Sequence, residues 1–216
     1  MRPRHLLRLA PFLAALACGP SEPTPVPTPT PDPCSSSPTE YASVVSDWWV
    51  PACSLAQNIY NDPQKALGWP DASGVGPDGY SGFVSLGFGG HVTVDLLGCV
   101  TDDAGPDIRV YQAVGSEPVS VYVSLSPNGP FTLVAARTEC GERFSGLRRM
   151  CEFDLAAAGV TRARYIRVED GELYACPGDT VSEGADLDAV QAIGVTVASA
   201  PESRHARSAG RPGPMN

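Results

Sequence analysis

Lysine is almost missing from this chain: Lys65 is the only one in 216 residues, and of three histidines only His91 lies away from the two ends. Without a lysine at its turn, Gly89-Gly90 cannot be a phosphate loop, whose chemistry needs that ammonium on the phosphates. His91 opens an alternating apolar run, and no serine sits in G-x-S-x-G, so a Ser–His–acid triad lacks its setting. There is no C-x-x-C to pair thiolates on zinc. Charged residues reach only 18%, too few for a long solvated helix or a coiled coil. Basic charge is scarce where it would matter. Setting aside the segment before Cys18, with Arg2, Arg4 and Arg8, leaves 24 acidic residues against 12 basic ones, a net of −12. Such a surface repels phosphate backbones and excludes nucleic acid as a partner. It suits divalent cations and neutral ligands such as sugars.

What is present begins with an export signal. Arg2, Arg4 and Arg8 precede an apolar stretch from Leu9 to Ala17 that ends in small residues. That is the layout of a signal peptide over residues 1–17, and it is too short to remain as a membrane-spanning helix. Leu16-Ala17-Cys18 resembles the bacterial lipobox, which implies that Cys18 becomes a lipidated first residue and anchors the mature chain to a membrane. Ala15 departs from that pattern, where leucine is usual, and cleavage by an ordinary signal peptidase is the alternative. Residues 19–33 place proline at nearly every second position, which forbids a helix and favours extended polyproline II. The stretch from Cys18 to residue 38 reads as a stalk, about 45 Å for its fifteen proline-rich residues at roughly 3.1 Å each. Residues 199–216 lack apolar periodicity and read as a disordered tail.

Six cysteines follow the stalk's start: Cys34, Cys53, Cys99, Cys140, Cys151 and Cys176. An even number in an exported chain points to three disulfides. Proximity in sequence pairs Cys140 with Cys151 and Cys34 with Cys53, which leaves Cys99 for Cys176.

Between 39 and 198 the apolar residues repeat every second position: Val92, Val94 and Leu96; Ile108 and Val110; Val119, Val121, Val123 and Leu125; Ile166 and Val168; Ile193, Val195 and Val197. That period puts one face of each strand on a core and the other in water. Ser126-Pro-Asn-Gly-Pro reads as a hairpin turn. Short helical segments are expected only near Asp62–Leu67 and Leu155–Ala158. Many short strands without intervening helices predict an all-β sandwich or jelly roll.

The run from Val119 to Val134, the strand Arg164-Tyr-Ile-Arg-Val-Glu-Asp and the close Gly184-Ala-Asp-Leu-Asp-Ala-Val-Gln-Ala-Ile resemble discoidin-like, galactose-binding-like jelly rolls. The close is similar to the last strand of calcium-binding carbohydrate modules of that fold. Asp62 to Asp71, Phe83 to Gly90 and Gly105 to Tyr111 resemble a group of exported bacterial β-sandwich proteins. The cysteines lie outside the shared pattern.

Asp186 and Asp188, two apart in a strand, point to one side, and two close carboxylates call for solvent or a hard cation such as calcium. The resemblance implies that Asp107 and Asp62 converge with them. Turn capping by Asp186 and solvation of Asp188 is the alternative. Trp69, between Gly68 and Pro70, with Tyr80 and Tyr174 in loop-like settings, offers faces on which a sugar ring can stack. Trp48 and Trp49, like most such residues, fit core or satellite packing. Arg148 and Arg149 suit either an acidic ligand or a solvated turn. Together these predict a non-catalytic, extracytoplasmic module that binds carbohydrate with a structural calcium. A protein-binding or envelope-structural module is the second reading, and a hydrolase working through paired carboxylates the third.

Overall fold

The computed structural model describes residues 31–55, 59–74, 80–113, 115–146, 148–172 and 184–194. The chain divides into a unit that ends at Pro31 and one that runs from Asp32 onward, and the folded body lies in the second. The signal segment, Cys18, the proline-rich stalk ahead of residue 31, Tyr174, Cys176 and the tail fall outside the described residues. No helix among the described residues is long and apolar enough to cross a membrane.

Ten strands are described: β1 Val44–Trp49, β2 Val84–Ser85, β3 His91–Thr101, β4 Ile108–Gln112, β5 Pro118–Ser124, β6 Thr132–Glu139, β7 Glu142–Ser145, β8 Arg148–Phe153, β9 Arg162–Asp170 and β10 Asp186–Ala192. They form two antiparallel five-stranded sheets, β1-β3-β9-β5-β6 and β2-β10-β4-β8-β7. This is the all-β sandwich that the alternation predicts. Val92, Val94, Leu96, Val119, Val121, Val123, Ile166 and Val168 from the first sheet share one buried cluster with Val84, Ile108, Val110, Leu187 and Val190 from the second. Each such side chain contributes about 1.5–3 kcal/mol by leaving water. The two expected helical segments are single 3-10 turns, Pro63–Ala66 and Leu155–Ala158, capped by Asp62 and Asp154.

Three details differ from expectation. The closing strand ends at Ala192, because Leu187, Val190 and Ala192 supply its inward face; Ile193 follows it, and Val195 and Val197 lie outside the described residues. The loop closed by Cys140–Cys151 is itself a hairpin, β7 paired with β8. That disulfide is the expected one.

Cys34, however, bonds to Cys99 with a Cα–Cα distance of 4.9 Å, which overturns both Cys34–Cys53 and Cys99–Cys176. The cause is a bulge in β3. Between Asp95 and Val100 the strand takes five steps where β9 takes two, from Tyr165 to Ala163. Leu97 adopts a φ of 61° there, and the bulged segment meets the incoming chain. A Cβ on Gly98 would lie 2.3 Å from the Ser36 carbonyl oxygen, so only glycine lets the two backbones touch. Thr39 donates its amide to the Leu96 carbonyl at 2.7 Å, and Arg164 reaches the Pro33 carbonyl at 3.2 Å. Residues 32–38, which composition assigns to the stalk, are thereby stitched to the sandwich.

Candidate functional site

The outward face of β10, β4 and β8 carries a row of bonded polar groups beside open aromatic rings. Register builds it: Ile108 and Val110 point into the core, so Arg109 and Tyr111 point out. Gln191 lies beside Arg109, and Arg109 beside Glu152, which makes a row of planar hydrogen-bonding groups across three strands. Arg109 donates from Nε to Glu152 Oε1 at 2.9 Å and from Nη1 to Gln191 Oε1 at 3.1 Å, and its Nη2 also reaches Glu152 Oε1. The Tyr111 hydroxyl donates to Gln191 Oε1 at 2.7 Å. Gln191 Nε2 donates to Glu40 at 3.0 Å. Burial of Arg109 disfavours its charge, but the bonds to Glu152 and Tyr111 outweigh that and hold its pKa above the ordinary arginine value. Positive and negative groups are thus internally paired, and the row presents fixed donors and acceptors.

An arc of rings borders it. Tyr41 packs edge-on against Trp69 with centroids 5.2 Å apart, Trp69 lies 6.4 Å from Phe144, and Phe144 meets Tyr111 edge-on at 5.0 Å. Tyr111 is only 1% exposed and forms the floor, while Trp69 at 59% and Phe144 at 37% stand open to solvent. Burial raises the Tyr41 pKa, helped by Tyr111 and Glu40, so its hydroxyl stays neutral. Open aromatic faces beside oriented polar groups suit a ligand with alternating C–H and O–H surfaces.

Trp69 rides on a short loop that is fixed from below. Gly68, at a φ of 83°, donates its amide to the Ala42 carbonyl at 3.0 Å. Arg148 donates from Nη1 to the Pro70 carbonyl and stacks over Phe144 at 5.6 Å. Asp188 Oδ1 accepts from the amides of Asp71 at 2.9 Å and Ala72 at 3.2 Å. So Arg148 supports this loop from beneath and does not lie in a solvated turn.

The four carboxylates expected to share calcium are not brought together. Leu187 faces Gln112 and Ala192 faces Ile108, so Asp107, next to Ile108, lies at the opposite end of the β4–β10 ladder from Asp186 and Asp188, roughly 13 Å or more along the strand. Asp62 caps a 3-10 turn by accepting from the Gln64 amide at 3.1 Å. Among the described residues, the one group of three acidic side chains with ligand atoms within 4.8 Å of one another is Asp102, Asp107 and Asp154. There Asp107 is already engaged, accepting from the amides of Asp103 and Leu155, each at 2.9 Å, and Asp154 accepts from Ala156 at 2.8 Å. These bonds fit loop capping, and the residues do not assemble the expected calcium site.

The remaining sugar candidates separate as well. Tyr80 lines a hollow of about 250 Å³ with Ile59, Tyr60, Asp62 and Lys65, without Trp69. Trp48 packs against the core, and Trp49 stands at the far sheet beside His91. Arg109, Tyr111, Phe144, Glu152 and Gln191 are absent from the sequence-based site. The one local signal for them is the polar half of Ile108-Arg-Val-Tyr, which the alternation exposes.

No family model matches the sequence, and no curated protein does. Among solved structures the chain is similar to CpGH89CBM32-6 produced by Clostridium perfringens, at 12% identity, over 51% of this chain and 72% of that one, with a TM-score of 0.30. A likeness at that level does not bear on the site.

Proposed function

We propose that this protein is a non-catalytic module that binds a neutral carbohydrate on the outward face of β10, β4 and β8. The observation that carries the reading is the open Trp69–Phe144 pair beside the Gln191–Arg109–Glu152 row. Sugar rings stack their C–H faces on such aromatics and present hydroxyls sideways. Planar amide, guanidinium and carboxylate groups read those hydroxyls, and because they are paired with one another the row favours an uncharged ligand over an acidic one.

A glycan array with the purified protein tests the reading. Binding to neutral glycans, weakened about tenfold or more by Trp69→Ala, as expected where stacking supplies 1–2 kcal/mol, supports it. Silence across neutral glycans, or binding indifferent to Trp69→Ala, favours the protein-interaction reading instead.

We further propose that the module is exported and tethered through a lipid on Cys18, followed by the Pro/Thr-rich spacer. The support is the basic, apolar and small-residue order ahead of Leu16-Ala17-Cys18. Mass spectrometry of the mature N-terminus decides between a diacylated Cys18 and an unmodified one, and the second outcome removes the anchor.

A further inference from the structure

Asp188 is placed by an irregularity. The β4–β10 register passes from Leu187 opposite Gln112 to Ala189 opposite Tyr111, so Asp188 is the extra residue of a β-bulge, a device that re-aims a side chain. Leu187 and Val190 remain in the core although three positions apart, and the bulge absorbs the change of parity. The carboxylate it releases is 1% exposed and crosses 117 positions of sequence to the Asp71 amide. Burying a carboxylate costs several kcal/mol unless its oxygens are satisfied. Here Oδ1 takes two amides, whereas Oδ2 has no partner among the described residues. A site selected for burial alone would not keep a half-satisfied acid. What Oδ1 does secure is the loop: with Ala42 and Arg148 it fixes Gly68, Pro70, Asp71 and Ala72, and Trp69 is the residue those bonds enclose.

We infer that Asp188 is the positioning residue of the ligand face, holding Trp69 in place against Phe144 through the Pro70–Ala72 backbone, and that it acts as a hydrogen-bond acceptor rather than as a metal ligand. The ligand arm of this inference rests on the carbohydrate reading; the loop arm does not.

Two substitutions separate the possibilities. Asp188→Asn keeps an acceptor oxygen for both amides, and Asp188→Ala removes it. In a Trp48→Phe, Trp49→Phe background the remaining tryptophan fluorescence is that of Trp69 alone. The expected result is that Asp188→Ala raises acrylamide quenching of Trp69 about twofold, Asp188→Asn leaves it near the parent value, and glycan affinity falls about tenfold in the first variant only, the upper size of losing a neutral hydrogen bond. In a Trp69→Ala background Asp188→Ala should then cost no further affinity, because both act through one ring. A purely structural role lowers the melting temperature and leaves quenching and affinity alone, which overturns the inference. So does an Asparagine variant that behaves like the alanine one, or calcium binding in the parent that Asp188→Asn abolishes, since either makes the charge the requirement. If Asp188→Ala does not fold, Arg148→Met cuts the Pro70 support and must raise Trp69 quenching. A silent glycan array defeats the carbohydrate reading while the quenching result stands or falls by itself.

Discussion

The two outer faces of the sandwich use the same chemistry to opposite ends. On the β1-β3-β9-β5-β6 face, arginines close over what lies beneath them. Arg167 covers the Phe131 ring at 4.2 Å while bonding Asp47 and Thr93 at 3.0 and 2.9 Å. Arg164 grips Asp95 through two bonds of 2.8 Å, and His91 takes the same Asp47 at 2.9 Å. On the β2-β10-β4-β8-β7 face the arginine row lies flat and Trp69 is left uncovered. Both faces carry a cation over an aromatic and a paired arginine; they differ in the rings that are left open. Charge pairing alone does not mark a site, nor does one exposed ring: Trp49, 53% exposed, meets only His91, whereas Trp69 belongs to an arc of rings beside the Gln191–Arg109–Glu152 row.

The largest effect is expected from removing a partner on the β1-β3-β9-β5-β6 face. Arg164→Ala leaves Asp95, only 6% exposed, without its counter-ion and frees the Pro33 carbonyl. We expect a loss of about 3 kcal/mol in urea unfolding, with glycan affinity unchanged; lost affinity at intact stability would reverse the assignment of the two faces.

The next effect is a pH dependence seated under the open face. Burial raises the Asp188 pKa from an ordinary 3.8 to about 6, against the pull of the Asp71 and Ala72 amides and of Arg148, and with a push from Asp71. The folded state therefore holds this proton more tightly than the unfolded chain. The group's contribution is full below pH 4 and is lost as pH rises to about 6, a drop of up to about 3 kcal/mol. Asp188→Asn should flatten the stability profile across that window. Parallel profiles for variant and parent would falsify the assignment to this carboxyl.

Smaller still is the hydroxyl of the floor. Tyr111→Phe unties Gln191 and Arg109 and should weaken glycan binding about fivefold, near 1 kcal/mol, measured by calorimetry. Trp49→Ala, 53% exposed on the other face, should change it by less than about 0.5 kcal/mol. Equal effects of the two would erase the distinction between the faces.

How far the sequence could be read depended on distance along the chain. Val92-Thr-Val-Asp-Leu announces its strand because inward and outward residues are neighbours, and Cys140–Cys151 closes a span of 11 residues. The Ser126–Pro130 turn joins β5 and β6 as expected, with Gly129 at a φ of 79°. Cys34 to Cys99 spans 65 and depends on three surplus residues in β3, which alternation does not reveal. The acidic quartet failed for a related reason: parity does not tell which end of a ladder a residue occupies, and the bulge at Asp188 breaks parity itself. Trp69 was legible because Gly68 and Pro70 flank it. Its neighbours were not, since Arg109 meets Glu152 and Gln191 across separations of 43 and 82.

The Cys34–Cys99 bond also decides how the body meets tension. β1 is an edge strand of its sheet, held by β3 alone, and edge strands peel one hydrogen bond at a time. Because the covalent link lies ahead of β1 in the chain, a pull on the residues before Asp32 enters β3 directly at Cys99. The load passes into β3 where Val100 and Thr101 pair with β9, and β1 is spared.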